Sequence, residues 1–154
     1  AAASLGLEPT TLEPYCRMLL DGLTRFGVYR GVAVKHVGPI AAADPTVQVL
    51  WWSQCEAMIA LIRAYELTGD EAYLSQFEAI TEWTLTHFSP DGSGCWVALT
   101  DGNGSPLADY RAGENWKSGY HVVRCLVECE AALRRLILAR AAAAGANPDP
   151  ERAP

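Results

Sequence analysis

Apolar residues recur along most of this chain at steps of three and four, and the steps of two that mark strands occur only in short interruptions. From Thr10 to Phe26, the residues Leu12, Tyr15, Cys16, Leu19, Leu20, Leu23 and Phe26 fall on one side of a wheel, which predicts an amphipathic helix ending at Gly27. The following VYRGVAVKHVGPI is Val-rich and broken by glycines, a β-hairpin or an irregular loop. Asp44-Pro45-Thr46 then offers a stop and a start, with Pro45 tolerated in a first helical turn, and predicts a long helix to about Leu67. Its widest apolar face carries Val47, Leu50, Trp51, Cys55, Met58, Ile59, Ile62 and Tyr65, and a helix this apolar is enclosed by others.

The stretch LTGDEAYL places Gly69 as a C-cap and Asp70 as the next N-cap, so the helix over 71–88 returns antiparallel after a very short loop. In SPDGSGCWVALTDGNGSPLADY, the alternation of Cys95, Val97 and Leu99 with a turn-rich DGNGSP favours a β-hairpin. A last helix is predicted from about Ser118 to Ala143, with Val122, Leu126, Cys129, Leu133, Leu136 and Ile137 on its apolar face. The fold class is therefore all-α, antiparallel helix pairs with small β-hairpin inserts. Residues 1–144 read as part of one domain and 145–154, rich in Ala, Pro and charge, as a disordered tail. The opening AAASLGLEP lacks an initiator Met, a basic segment and a long apolar run, so we expect a cut end rather than a leader; the tail reads as a natural finish.

Charge narrows the partners. Against 18 acidic residues stand 12 basic ones, a net charge of −6, and the basic residues are scattered rather than striped. Nucleic acid and anionic membrane surfaces are poor partners for such a chain. Gln54, Glu56 and Arg63 interrupt the most hydrophobic stretch, so no run reaches the roughly 18 to 20 residues of a membrane span and a soluble protein is expected. The five cysteines, Cys16, Cys55, Cys95, Cys125 and Cys129, include no C-x-x-C pair, and buried reduced thiols in a cytoplasmic protein are the simplest account.

Two places depart from what packing alone asks. WWSQCE, residues 51–56, brings Gln54 and Glu56 into a very apolar helix. Glu56 at a helix edge would snorkel to solvent, whereas a buried Glu56 would need a partner or a shifted pKa. The second place is ENWKSGYHVVRCLVECE, 114–130, where Trp116, Lys117, Tyr120, His121 and Arg124 cluster within nine positions. An aromatic beside polar hydrogen-bonding groups suits a sugar, whose ring has an apolar face and whose hydroxyls need partners. His36 in a loop and His87 at a helix C-terminus fit ordinary surface or capping roles. His121 has no H-x-x-x-H or H-x-x-E partner in this chain, so no metal site is indicated.

In order and spacing, WWSQCE, LTGDEAYL, DGSGCW with DGNGSPL, and WKSGYHVVRCLVECE resemble the C-terminal part of the N-acylglucosamine 2-epimerase family, which includes cellobiose 2-epimerases, aldose-ketose isomerases and renin-binding proteins. The resemblance covers about residues 10–138. It implies a partial (α/α)6 barrel, a six-hairpin toroid, with the sugar site at one end. It implies two histidines acting as acid and base on either face of the substrate's C2, with no metal or other cofactor for the proton transfer. Residue by residue, it makes His121 one of these histidines and Glu56 its catalytic carboxylate, and it places Trp52, Gln54, Trp116, Tyr120 and Arg124 at the sugar.

The departures are equally specific. The family's other histidine, in an H-x-x-E motif, and its substrate-binding arginine precede the region this chain covers. Ser53 stands where Pro is commoner, and Val122-Val123-Arg124 lies between an epimerase-like H-V-P-R and a cellobiose-type H-N-x-R, which leaves both subfamilies open. The resemblance further implies a small-molecule sugar substrate and a homodimer of the full-length protein. The alternative is a non-catalytic helical-repeat module that binds a protein, in the manner of renin-binding members. A scaffold would leave Trp52, Glu56 and His121 apart; an enzyme would bring them around one pocket. About four helices of a twelve-helix barrel would expose faces meant for missing neighbours, so this chain alone is expected to self-associate and to be inactive.

Overall fold

A computed structural model of the chain describes residues 9–30, 32–33, 47–89, 92, 94–107 and 118–145. Helix α1, Pro9–Gly22, continues through a π-helical turn, Leu23–Gly27, into strand β1, Val28–Tyr29, which pairs antiparallel with β2, Val32–Ala33. The described start of the Val-rich segment, residues 28–30 and 32–33, is thus a minimal antiparallel pair with Arg30 at φ +48°, and 34–40 lie outside the described residues. After β3, Gln48–Leu50, come α2, Trp51–Thr68, and α3, Glu71–Phe88; β4, Leu99–Asp101, and α4, Tyr120–Gly145, complete the chain. The expected helix start at Asp44-Pro45-Thr46, as well as His36, Trp116, Lys117 and residues 146–154 of the expected tail, lie outside the described residues.

The α2–α3 hairpin forms as its caps dictate. Gly69 is left-handed at φ +69° and its N–H donates to the Tyr65 carbonyl at 2.8 Å, while the Asp70 carboxylate accepts from Ala72 N at 3.0 Å. The start of α2 differs from expectation. Gln48–Leu50 is a strand because it pairs with β4 in the register Gln48↔Asp101, Val49↔Thr100, Leu50↔Leu99, and the helix begins only at Trp51. A short apolar run is compatible with helix or strand, and a partner fifty residues away decides between them. The DGNGSP turn does close as a tight hairpin, with a Thr100↔Pro106 bridge and Asp101 accepting from Asn103 N and Ser105 N. Its first arm is shorter than expected, since Cys95–Val97 form no strand and Trp96 instead packs on Phe88 with ring centroids 5.9 Å apart.

Helix α2 is the centre of the core: Cys55, Leu61 and Ile62 are fully buried, flanked by Phe77 and Ile80 of α3 and by Cys125, Cys129 and Ala132 of α4. Contacts between α2 and α4 advance in the same direction on both helices. Glu56 meets His121, Arg63 meets Glu128 at 2.7 Å, and Glu66 meets Arg135. The two helices therefore run parallel, with their N-termini at one end of the molecule. The α4 face is met in part: Cys129 is buried and Val122 and Leu136 pack against the core as expected, but Cys125 and Ala132 join them while Leu126, Leu133 and Ile137 are exposed. Small side chains let two backbones approach, and the polar rungs of Arg63, Glu66, Glu128 and Arg135 beside them set the register. Helix α1 forms as expected but packs loosely, leaving Tyr15, Met18 and Leu19 exposed.

Of the five thiols, Cys55, Cys125 and Cys129 are buried, whereas Cys16 and Cys95 are exposed; all five are reduced. Among the described residues, no helix is long and apolar enough to cross a membrane and no group of three or more His, Cys, Asp or Glu side chains is placed to hold a metal.

Candidate functional site

The parallel N-terminal turns of α2 and α4 bring together residues 65 and 68 positions apart in sequence. On α2, Trp52 and Glu56 stand one turn apart on the same face; on α4, His121 and Arg124 do the same. Across the gap, the Glu56 carboxylate accepts from His121 Nδ1 through Oε1 at 3.1 Å. Nη1 of Arg124 lies astride the same carboxylate, 2.6 Å from Oε1 and 2.8 Å from Oε2. The Trp52 ring lies 6.2 Å from the imidazole, tilted by 40°, and Tyr120 meets it edge-on at 5.1 Å.

Side-chain exposures of 39% for Glu56, 34% for His121 and 37% for Arg124 make this a half-open cluster, reachable by a ligand but partly withdrawn from water. Burial pushes the Glu56 carboxyl upward, but the hydrogen bonds and charges of Arg124 and His121 outweigh it and hold the group below the usual carboxylate range. Arg124 is correspondingly raised by its bond to Glu56. Glu56 is therefore ionised at neutral pH, and an ionised carboxylate can only accept. The proton of the Glu56–His121 bond then sits on Nδ1, and a neutral imidazole so held carries its lone pair on Nε2.

Gln54 is not brought into this cluster. It is fully buried, two positions from Trp52 and so about 200° around the helix. Its Nε2 donates to the Leu50 carbonyl and to Ser53 Oγ, each at 3.3 Å, and Ser53 Oγ itself donates to the Leu50 carbonyl at 2.8 Å. Both side chains tie down the strand-to-helix turn from which Trp52 and Glu56 project. Tyr120 begins α4, where Ser118 Oγ accepts from its N–H at 3.4 Å, so the imidazole one residue later stands on a capped helix end. His87 is packed, not capping solvent: its Nδ1 donates to the Trp83 carbonyl at 2.8 Å and its ring stacks on Trp83 at 4.3 Å. The Arg124–Glu56 contact went unread in the sequence; the only signal for it was that Arg124 lies one turn from His121 on α4.

Comparison with known proteins adds three findings. The family model for N-acylglucosamine 2-epimerase (GlcNAc 2-epimerase) matches residues 28–125. Over 88 residues the chain is 38% identical to the N-acylglucosamine 2-epimerase of Bos taurus and 34% identical to that of Homo sapiens, which is 57% of this chain and 21% and 20% of those proteins. Among solved structures, the cellobiose 2-epimerase from Spirochaeta thermophila DSM 6192 superposes with a TM-score of 0.65 at 25% identity, over 85% of this chain and 32% of that one. A sugar epimerase from a ruminal bacterium superposes at 0.66 and 20% identity, a likeness of fold, over 86% and 34%. The chain thus spans about a fifth of the curated relatives' length and about a third of the solved ones. The helix pairs around α2 are part of an (α/α)6 barrel.

Proposed function

The chain belongs to the N-acylglucosamine 2-epimerase family, and from that premise we propose that it forms part of the active site of a sugar 2-epimerase or aldose-ketose isomerase, which moves the proton on C2 of a reducing sugar. The observation that carries this reading is the Glu56–His121 bond, 3.1 Å long and made between parallel helices 65 residues apart in sequence. A C2 proton beside a carbonyl is weakly acidic, and removing it needs a base of near-neutral pKa together with stabilisation of the oxyanion that develops. His121, held as the Nδ1–H form by an ionised Glu56, presents the Nε2 lone pair to this proton. The C2–H bond breaks toward Nε2, its electron pair becomes the enediolate double bond, and the carbonyl oxygen takes the charge. Reprotonation at C2 from the opposite face restores the C1 carbonyl and gives the epimer; reprotonation at C1, with the O2 hydroxyl proton passing to O1, gives the ketose.

One histidine cannot serve both faces. None of the three histidines of this chain stands in an H-x-x-E motif, so the second acid/base comes from another part of the full-length protein. Trp52 and Tyr120, both exposed beside the imidazole, supply apolar wall for the sugar ring. Substrates of the N-acylglucosamine/N-acylmannosamine, cellobiose or mannose type fit this chemistry equally. The convergence of Trp52, Glu56 and His121 supports an enzyme over a helical-repeat binding module, for which these side chains have no reason to meet.

The test is His121→Ala in the full-length protein, assayed on each of these sugars and by exchange of the C2 proton in deuterated water. We expect kcat to fall by about 10²- to 10⁴-fold, the usual contribution of a positioned acid/base, with exchange lost in parallel. Wild-type turnover by the variant on every converted sugar would remove His121 from the mechanism.

A further inference from the structure

We propose that Arg124 is a positioning residue rather than a sugar ligand: by straddling the Glu56 carboxylate it fixes His121 as the Nδ1–H tautomer and leaves Nε2 as the acceptor. The inference rests on the proposed sugar chemistry only for what Nε2 then does.

The contacts argue it directly. A half-exposed carboxylate with a single donor is free to swing toward solvent through its side-chain torsions, and the imidazole bonded to it then loses its partner. Arg124 Nη1 reaches both oxygens, at 2.6 and 2.8 Å, and so anchors the carboxylate head beside α4, where Oε1 meets the imidazole. Oε1 then accepts from Arg124 and from His121, which uses its two lone-pair directions, and Oε2 accepts from Arg124. Because Arg124 stands one helical turn after His121 on α4, the clamp and the base it serves are carried by one rigid element and move together. For the guanidinium the ionised carboxylate is a stronger partner than a neutral sugar hydroxyl, since both ends of the bond are then charged.

The experiment uses the full-length protein with ¹⁵N-labelled histidine, the His121 signals being assigned by their loss in His121→Gln. Wild type is expected to show a pyrrole-type Nδ1 and a pyridine-type Nε2. Arg124→Met is expected to average the two signals and to lower kcat by about 10- to 100-fold, a part of the 10²–10⁴ that general-base catalysis supplies, with KM within about twofold. Arg124→Lys should recover part of the loss. Unchanged His121 signals in Arg124→Met, an Nε2–H tautomer in wild type, or a loss carried by KM would overturn the assignment. Arg124→Gln provides the same readout if the Met variant fails to fold. Should no sugar be turned over at all, the sugar reading fails while the nitrogen signals still decide the clamp.

Discussion

Glu56 shows how one side chain can be read two ways from sequence and finds its partners only in three dimensions. An isolated Glu in an apolar helix is either snorkelling or functional, and its own neighbours in sequence do not choose. Its partners are His121 and Arg124, which arrive from a helix that the chain reaches only after another helix and a strand. Removing the charge while keeping the shape is the direct test. Glu56→Gln leaves an amide that can accept from or donate to Nδ1, so the tautomer is no longer fixed; kcat should fall by about 10²-fold or more, with a small change in KM, in steady-state assays of the full-length protein. The acid stability follows from the same contacts. Because the folded-state pKa of Glu56 lies below its ordinary value of 4.5, its contribution is present above that value and is lost as pH falls through the folded one. Glu56 is 39% exposed, so the contribution is screened to about 1 kcal/mol or less. Urea unfolding of wild type and Glu56→Gln should therefore differ at pH 7 and converge as the pH falls below 4.5 and through the lowered folded-state value; a gap that widens with acid would contradict this account.

At the scale of elements, what was legible in the sequence is what is encoded locally. The α2–α3 hairpin is written in Gly69 and Asp70, and both cap as their chemistry requires. What was not legible depends on partners distant in sequence: the strand Gln48–Leu50 needs β4, and on α4 the expected Cys129 is joined at α2 by the small Cys125 and Ala132, against a hydropathy ranking that favours Leu126, Leu133 and Ile137. Of the site, the motif residues Glu56 and His121 were legible, while the clamp by Arg124 and the inward turn of Gln54 were not, since both are set by tertiary geometry. The turn after β4 offers a further test. Gly104 has φ +88°, and a Cβ there would stand 1.9 Å from Cδ2 of His87. Gly104→Ala should cost about 2 to 4 kcal/mol, from a left-handed backbone together with overpacking. In a His87→Ala background only the backbone strain of about 1 to 2 kcal/mol remains, so thermal unfolding of the two single variants and the double variant should be non-additive. Additivity would mean that the loop and the end of α3 do not press on each other.

At the scale of the whole molecule, the described helices bury α2 on two sides and leave their outer faces bare. On α1, Tyr15, Met18 and Leu19 are 62 to 68% exposed; on α4, Val127, Ile137 and Leu138 are 59 to 69% exposed. A groove of about 480 Å³ runs between α3 and α4, walled by Phe77, Leu85, Leu126, Leu133 and Ile137. Monomeric proteins seldom carry apolar patches beyond a few hundred Å², and this chain spans 32% of the cellobiose 2-epimerase it superposes on. The same helix, α4, thus presents the proposed catalytic turn at its start and an unsatisfied apolar flank along its length. Expressed alone, the chain should bury that flank against other copies, with a mass in light scattering that rises with concentration across the micromolar range. Leu133→Lys with Ile137→Glu should shift the equilibrium toward monomer without disturbing Cys125, Cys129 and Ala132, which hold α4 on α2. A monodisperse monomer that unfolds cooperatively would show that these faces need no cover, and that a third of the barrel is a stable unit by itself.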